Sequence, residues 1–170
     1  FSEALSQVEC GADVLDVNVG LPEIDEPKVM CDTVRGIQGI TNLPLQIDTS
    51  DPAAMEQALR IYNGKPLINS VNGKKESMEK IFPLAKKYGG VVVCLTLDES
   101  GIPESAEGRI KIAEKIINTA KEYGIDKKDL IIDTLAMTVS TGAENAKRTL
   151  QALSYVRNTL GVNTVLGVSN

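Results

Sequence analysis

Gly89–Leu97, GGVVVCLTL, and Asp129–Leu135, DLIIDTL, decide how this chain folds. Each is a short run rich in β-branched and leucine side chains, apolar on both faces, which is how a strand reads when helices cover the sheet on both sides. Four similar runs lie at Val14–Val19, Leu45–Thr49, Pro66–Val71 and Thr164–Ser169. With Gly90–Leu97 and Leu130–Leu135 they make six expected strands. Amphipathic, charge-rich stretches separate them, the alternation of βα units that feed a parallel sheet.

The intervening stretches carry helix signals. DPAAMEQALRIY opens with an acid followed by Pro52 and places Met55, Ala58, Leu59 and Tyr62 on one face. KESMEKIFPLAKKYGG closes at a glycine pair, with Pro83 expected to bend or restart it. AEGRIKIAEKIINTAKEYG has Gly124 as its expected C-cap, and AENAKRTLQALSYVRNTLG ends at Gly161. The opening FSEALSQVECG is amphipathic and reads as the tail of a helix. No linker or low-complexity stretch interrupts this order, so residues 1–170 are expected to be one domain. Six strands in this length predict units two to seven of a TIM (β/α)8 barrel, incomplete at both ends, since eight units take about 250 residues. A doubly wound open sheet of six strands fits the same order.

Composition narrows the chemistry. Eighteen Lys and Arg stand against 23 Asp and Glu, a net charge of −5, so no broad basic surface exists to neutralise a phosphate backbone and nucleic acid is not an expected partner. Histidine is absent, which removes Ser-His and Cys-His nucleophiles and the commonest transition-metal ligand. Cys10, Cys31 and Cys94 are odd in number and form no C-x-x-C pair, a pattern suited to a reducing cytoplasm. Cys94, inside an apolar run, is expected to pack in the core. No apolar run approaches the ~20 residues of a membrane span and no basic-then-apolar leader opens the chain, so a cytoplasmic protein with no membrane partner is expected. There is no G-x-G-x-x-G or Walker pattern for a nucleotide.

Polar residues gather at the carboxyl ends of the expected strands, where parallel sheets and barrels hold their active sites. LDVNVG offers Asp16 and Asn18, LQIDTS offers Asp48, LINSVNG offers Asn69, Ser70 and Asn72, LIIDT offers Asp133, and VLGVSN offers Ser169 and Asn170. Any one of these taken alone reads better as a helix cap or an Asx turn, and for Ser50 and Asp51, directly before Pro52, that reading stands. Asp48, Asn69, Asp133 and Asn170 lie at equivalent heights on different strands and would converge in a barrel, which favours the barrel over the open sheet. Two carboxylates and two carboxamides suit a heterocycle that presents N–H donors, and a pterin is such a ring. Sugar hydrolysis by paired carboxylates is weaker without a stacking aromatic, and a divalent-metal site from Asp16, Asp48 and Asp133 has no diagnostic spacing. Gly20, Gly73 and Gly142 are explained by loop turns.

GADVLDVNVG, LPLQIDTSDPAAMEQAL, PLINSVNGKKESMEKIFPLAKKYGG, VVVCLTLDESGIPESAEGRIKIA, DLIIDTLAMTVSTG and TVLGVSN together resemble the pterin-binding methyltransferases, among them the folate domains of cobalamin-dependent methionine synthases. The likeness covers essentially the whole chain. It implies a methyltransferase that takes the N5 methyl of 5-methyltetrahydrofolate to a corrinoid (cobalamin) on a partner protein or domain. It further implies that Asp48, Asn69, Asp133 and Asn170 hold the pterin, with Asn170 facing N5 as the catalytic amide. Asn18, Gly167 and Ser169 would line the same cavity, and a homodimer is implied by the habit of the family. Dihydropteroate synthases share the barrel, but their D-x-G-x-E-S-T-R-P-G pattern is replaced here by DVNVGLPEID, so that synthase, or a module that binds pterin without turnover, is the alternative.

Overall fold

A computed structural model of the chain describes residues 1–137 and 143–167. Six parallel strands alternate with helices along the chain: α1 Ser2–Glu9, β1 Leu15–Asn18, α2 Glu26–Gln38, β2 Leu45–Asp48, α3 Pro52–Ile61, β3 Leu67–Asn72, α4 Lys75–Tyr88, β4 Val91–Leu95, α5 Ala106–Glu122, β5 Leu130–Asp133, α6 Ala143–Tyr155 and β6 Asn163–Val165. Every expected strand is present. The last is shorter than expected, and the end of the run Thr164–Ser169 lies outside the described residues.

The chain divides into two compact units, one formed by Phe1–Ser70 with Lys87–Val91, the other by Val71–Lys86 with the chain from Val92 onward. In the first, β1 pairs with β2 in register from Leu15↔Leu45 to Asn18↔Asp48, and β2 with β3 from Gln46↔Leu67 to Asp48↔Asn69. Met30 and Val34 of α2 and Ala54, Met55 and Ala58 of α3 are fully buried, as are Leu45, Ile47 and Ile68 of the strands. In the second unit, β4 pairs with β5 from Val92↔Leu130 to Leu95↔Asp133, and β5 with β6 from Ile131↔Asn163 to Asp133↔Val165. Its core holds Phe82, Val92, Cys94, Ile116, Leu130 and Ile132, with the Phe82 and Tyr123 rings 5.6 Å apart. Cys94 packs there as expected, and burial drives its thiol far above the ordinary value.

Strand burial departs from the expectation of apolar faces on both sides. In β4 three consecutive residues, Val92, Val93 and Cys94, are buried, but β1, β2 and β5 alternate. Alternate side chains in a strand point to opposite faces, so Leu15, Val17, Leu45 and Ile47 meet the helices while Asp16, Asn18, Gln46 and Asp48 stand on the other face.

Two helices, α2 and α4, correct the sequence reading, and a third, α1, forms where a helix is expected. α2 has no counterpart among the expected helices, although Asp25 caps it by accepting from Lys28 N–H and Pro27 stands in its first turn. That is the same acid-then-proline opening that announces α3, where Asp51 accepts from the Ala53 N–H at 2.8 Å. Helix α4 runs unbroken through Pro83. Its buried residues Met78, Ile81, Phe82 and Ala85 straddle the proline, and packing of that face outweighs the backbone bond the ring removes. α1, expected to be amphipathic, buries none of its side chains.

Gly73 also needs a different account from a turn. A Cβ there would stand 2.6 Å from Ile112 Cγ2 and 2.9 Å from the Leu97 carbonyl oxygen. The Gly73 N–H donates to that same carbonyl at 2.7 Å, and Lys115 Nζ donates to the Gly73 carbonyl at 2.6 Å, so the backbone has no room to retreat. Gly73→Ala is expected to lower unfolding stability by about 1–3 kcal/mol, the usual cost of overpacking, measured by urea denaturation.

Candidate functional site

The ladder of the first unit sets three of the expected site residues side by side. Asn18, Asp48 and Asn69 are register partners across β1, β2 and β3; Asn18 and Asp48 end their strands, whereas Asn69, expected at a strand end, is the third of six residues because β3 continues to Asn72. Asn18 Nδ2 donates to Asp48 Oδ2 at 2.9 Å, while Asn18 Oδ1 accepts from the Gly20 N–H at 3.0 Å. The two bonds fix which way the amide faces, so Asn18 orients the Asp48 carboxylate. Asp48 is thus held by a side chain of the neighbouring strand rather than by a turn of its own loop. A hollow of about 370 Å³, lined by Asn18, Val19, Gly20, Leu21, Ile24 and Val29, opens beside Asn18.

Two residues earlier on the same face, Gln46 Nε2 donates to Asp16 Oδ1 at 2.6 Å. The pair is one pleat below Asn18 and Asp48, so a second polar layer underlies the first. Gln46 was not among the expected site residues, although its place two positions before Asp48 in an alternating strand is the signal that finds it. At the β2 exit Thr49 binds twice: its N–H donates to the Asn69 carbonyl at 3.2 Å, and its hydroxyl donates to Glu26 of α2. The Asn69–Ser70 peptide bond is cis. Asn72, in contrast, is spent on a turn: its side chain accepts from the Lys74 N–H at 3.0 Å.

In the second unit Asp133 closes β5. Its Oδ1 accepts from the Leu135 N–H at 2.7 Å, and the Gly167 N–H is a further backbone donor to the carboxylate. The first bond is an Asx turn, so the simpler reading of an acid at a strand end holds for one of its oxygens. Burial raises the Asp133 pKa above the ordinary carboxylate value, and the two backbone donors oppose the rise. Thr96, fully buried, donates both its N–H and its hydroxyl to the Asp133 carbonyl at 3.1 Å, extending the β4–β5 pairing beyond the ladder. Ser169 and Asn170, together with Gly142, lie outside the described residues.

Among the described residues no group of three His, Cys, Asp or Glu is placed to hold a metal ion, and no helix is long and apolar enough to cross a membrane. The polar faces are therefore supplied by carboxylates, carboxamides and backbone donors. Asp16 is the other carboxyl among the described residues with a raised pKa, first because the surrounding protein desolvates it and, against the bond from Gln46, because Asp48 repels its charge. A carboxyl with a raised native pKa weakens the folded state wherever it must be ionised, and that penalty vanishes once the pH falls below its unfolded value. Asp16→Asn keeps an acceptor for Gln46 and removes the charge. Its melting temperature is expected to exceed that of the parent protein at pH 7, with the gap closing as pH is lowered through the carboxylate range.

Known proteins bear on what such a site serves. The chain is similar to methionine synthase of Mycobacterium tuberculosis, at 32% identity over 98% of this chain and 15% of the relative, and to methionine synthase of Mycobacterium leprae, at 29% over the same shares. It thus spans about 15% of the length of those relatives. Among solved structures it is similar to dihydropteroate synthase from Xanthomonas albilineans in complex with 7,8-dihydropteroate, with a TM-score of 0.77 and 23% identity over 99% of this chain and 62% of the other. Dihydropteroate synthase from Yersinia pestis with a sulfonamide drug gives a TM-score of 0.78 at 17% identity, over 99% and 64%. These likenesses identify the fold as the parallel β/α barrel expected from the strand pattern. A family model described as pterin binding enzyme matches residues 1–170, and the chain belongs to that family.

Proposed function

We propose that this chain binds 5-methyltetrahydrofolate and passes its N5 methyl group to a corrinoid carried by a partner protein or domain. The observation that carries the reading is the 32% identity to a methionine synthase along 98% of the chain, because the likeness to the dihydropteroate synthases is one of fold. Asp48, Asn69 and Asp133 are the proposed pterin ligands, with Asn18 holding Asp48, and Gly167, Ser169 and Asn170 completing the set. Carboxylates accept the N–H donors of a pterin edge, and a carboxamide can donate or accept at the neighbouring atoms.

Methyl transfer from a tertiary amine needs N5 to gain a proton as its bond to carbon breaks, since the tetrahydrofolate anion is a poor leaving group. The chain has no histidine to bring that proton. In this proposal Asn170 hydrogen-bonds N5, ordered water delivers the proton there, and the two acids hold the ring so that displacement runs in line. The corrinoid supplies the attacking nucleophile.

Mixing cob(I)alamin with 5-methyltetrahydrofolate and the full-length protein is expected to bleach the cob(I)alamin absorbance in a protein-dependent way. Condensation of p-aminobenzoate with a pterin pyrophosphate, and no bleaching, would replace this reading with the synthase. Asp48→Asn and Asp133→Asn are each expected to weaken folate binding by about 10- to 100-fold in calorimetry, the scale of a lost hydrogen bond to a charged group. In the parent protein affinity is expected to fall with acidification at a pH above the ordinary aspartate value, because the raised pKa of Asp133 protonates that acceptor early.

A further inference from the structure

Arg109 is 1% exposed on the buried stripe of α5 that it shares with Ile112, Ala113, Ile116 and Ala120. Its Nε donates to the Pro103 carbonyl at 3.0 Å, and its Nη1 lies 2.9 Å from the Thr134 carbonyl, 3.0 Å from the Leu135 carbonyl and 2.6 Å from Thr149 Oγ1. All four acceptors are neutral. Burial, and next the charge of Arg148, push the guanidinium pKa down. Well-packed apolar side chains generally fill buried space at lower cost than a charge does. What a guanidinium adds is direction, a planar fork that grips several oxygens at fixed angles.

Two of those oxygens belong to the residues directly after Asp133. Leu135 has φ +58°, the left-handed region that a side chain with a Cβ disfavours. Such a conformation persists only where its surroundings over-determine it. Here the Leu135 carbonyl accepts from Arg109; the Thr149 hydroxyl, 3.3 Å away, shares its one proton between that carbonyl and the Asn145 carbonyl at 3.0 Å, while the Thr134 hydroxyl donates to the Thr149 carbonyl at 3.3 Å. The same turn delivers the Leu135 N–H to Asp133 Oδ1.

We infer that Arg109 is a positioning residue for the pterin: by gripping the Thr134 and Leu135 carbonyls it keeps Leu135 left-handed, which aims the Leu135 N–H at Asp133 and sets the rotamer in which that carboxylate meets the ring. The inference rests on the reading that Asp133 is a pterin ligand. Arg109 itself touches no reacting atom in this scheme.

The test uses the full-length protein with Arg109→Lys, Thr149→Val, Asp133→Asn and the Arg109→Lys/Asp133→Asn pair. Amide hydrogen exchange at Leu135 is measured without ligand, then Kd, KM and kcat for 5-methyltetrahydrofolate. In Arg109→Lys the Leu135 amide is expected to exchange about tenfold faster while β4 amides keep their protection. Kd and KM should rise about tenfold with kcat within about threefold, as for lost ground-state binding. Thr149→Val should shift exchange and Kd the same way by about threefold, and it carries the test if Arg109→Lys does not fold. Because Arg109 acts through Asp133, the paired variant should bind no more weakly than Asp133→Asn alone. Unchanged Leu135 exchange overturns the inference, as does a lower melting temperature with an unchanged Kd, or a loss that adds in full to that of Asp133→Asn. A parent protein that binds no folate would instead sink the functional reading, and Leu135 exchange would still decide whether Arg109 holds the turn.

Discussion

Parallel pairing in register is the constraint from which the site descends. When β1, β2 and β3 run the same way with Asn18 opposite Asp48 and Asp48 opposite Asn69, three polar side chains share one level and one face. The pleat then repeats the arrangement one layer down as Asp16 and Gln46. A one-residue slip of β2 would turn Asp48 toward the helices and Ile47 toward the polar face, so the apolar contacts of Leu45 and Ile47 protect the register and the site with it.

The two acids proposed as ligands are held by different means. Asp48 is oriented by a carboxamide whose other end is tied to the backbone of Gly20, an arrangement made of side chains from neighbouring strands. Among the described residues Asp133 is met by the backbone N–H groups of Leu135, in the loop after β5, and of Gly167, after β6. Backbone donors are stabilising to an ionised carboxylate, yet burial of Asp133 has the larger effect. The loop after β5 therefore carries more of the responsibility for its acid than the loop after β2 does, which is where a buried arginine without an anionic acceptor among the described residues finds a purpose.

Fold and relatives speak to different questions. The solved structures similar to this chain include dihydropteroate synthases at identities of about one in five, a likeness that carries the architecture and leaves the reaction open. The relatives at higher identity are named for methionine synthesis and are several times longer, so the chain corresponds to one part of a larger design there. The chain itself belongs to the pterin-binding enzymes along its whole length.

Much was legible in the sequence because it depends on short-range regularity. Short runs rich in apolar residues located all six strands, and an acid or amide within four of them located Asn18, Asp48, Asn69 and Asp133. The acid-proline opening stands at both Asp51 and Asp25. An arginine at the head of an i, i+3, i+4, i+7 apolar stripe was visible as well, but its purpose was not. That purpose, the crowding at Gly73 and the partners of Asp16 and Asp48 depend on residues 24 to 42 positions apart in the chain. Such pairings leave no periodic trace in a sequence. They arise only when helices packed on a twisted sheet bring distant backbone oxygens and side chains within hydrogen-bonding distance, and that was decided by the tertiary structure.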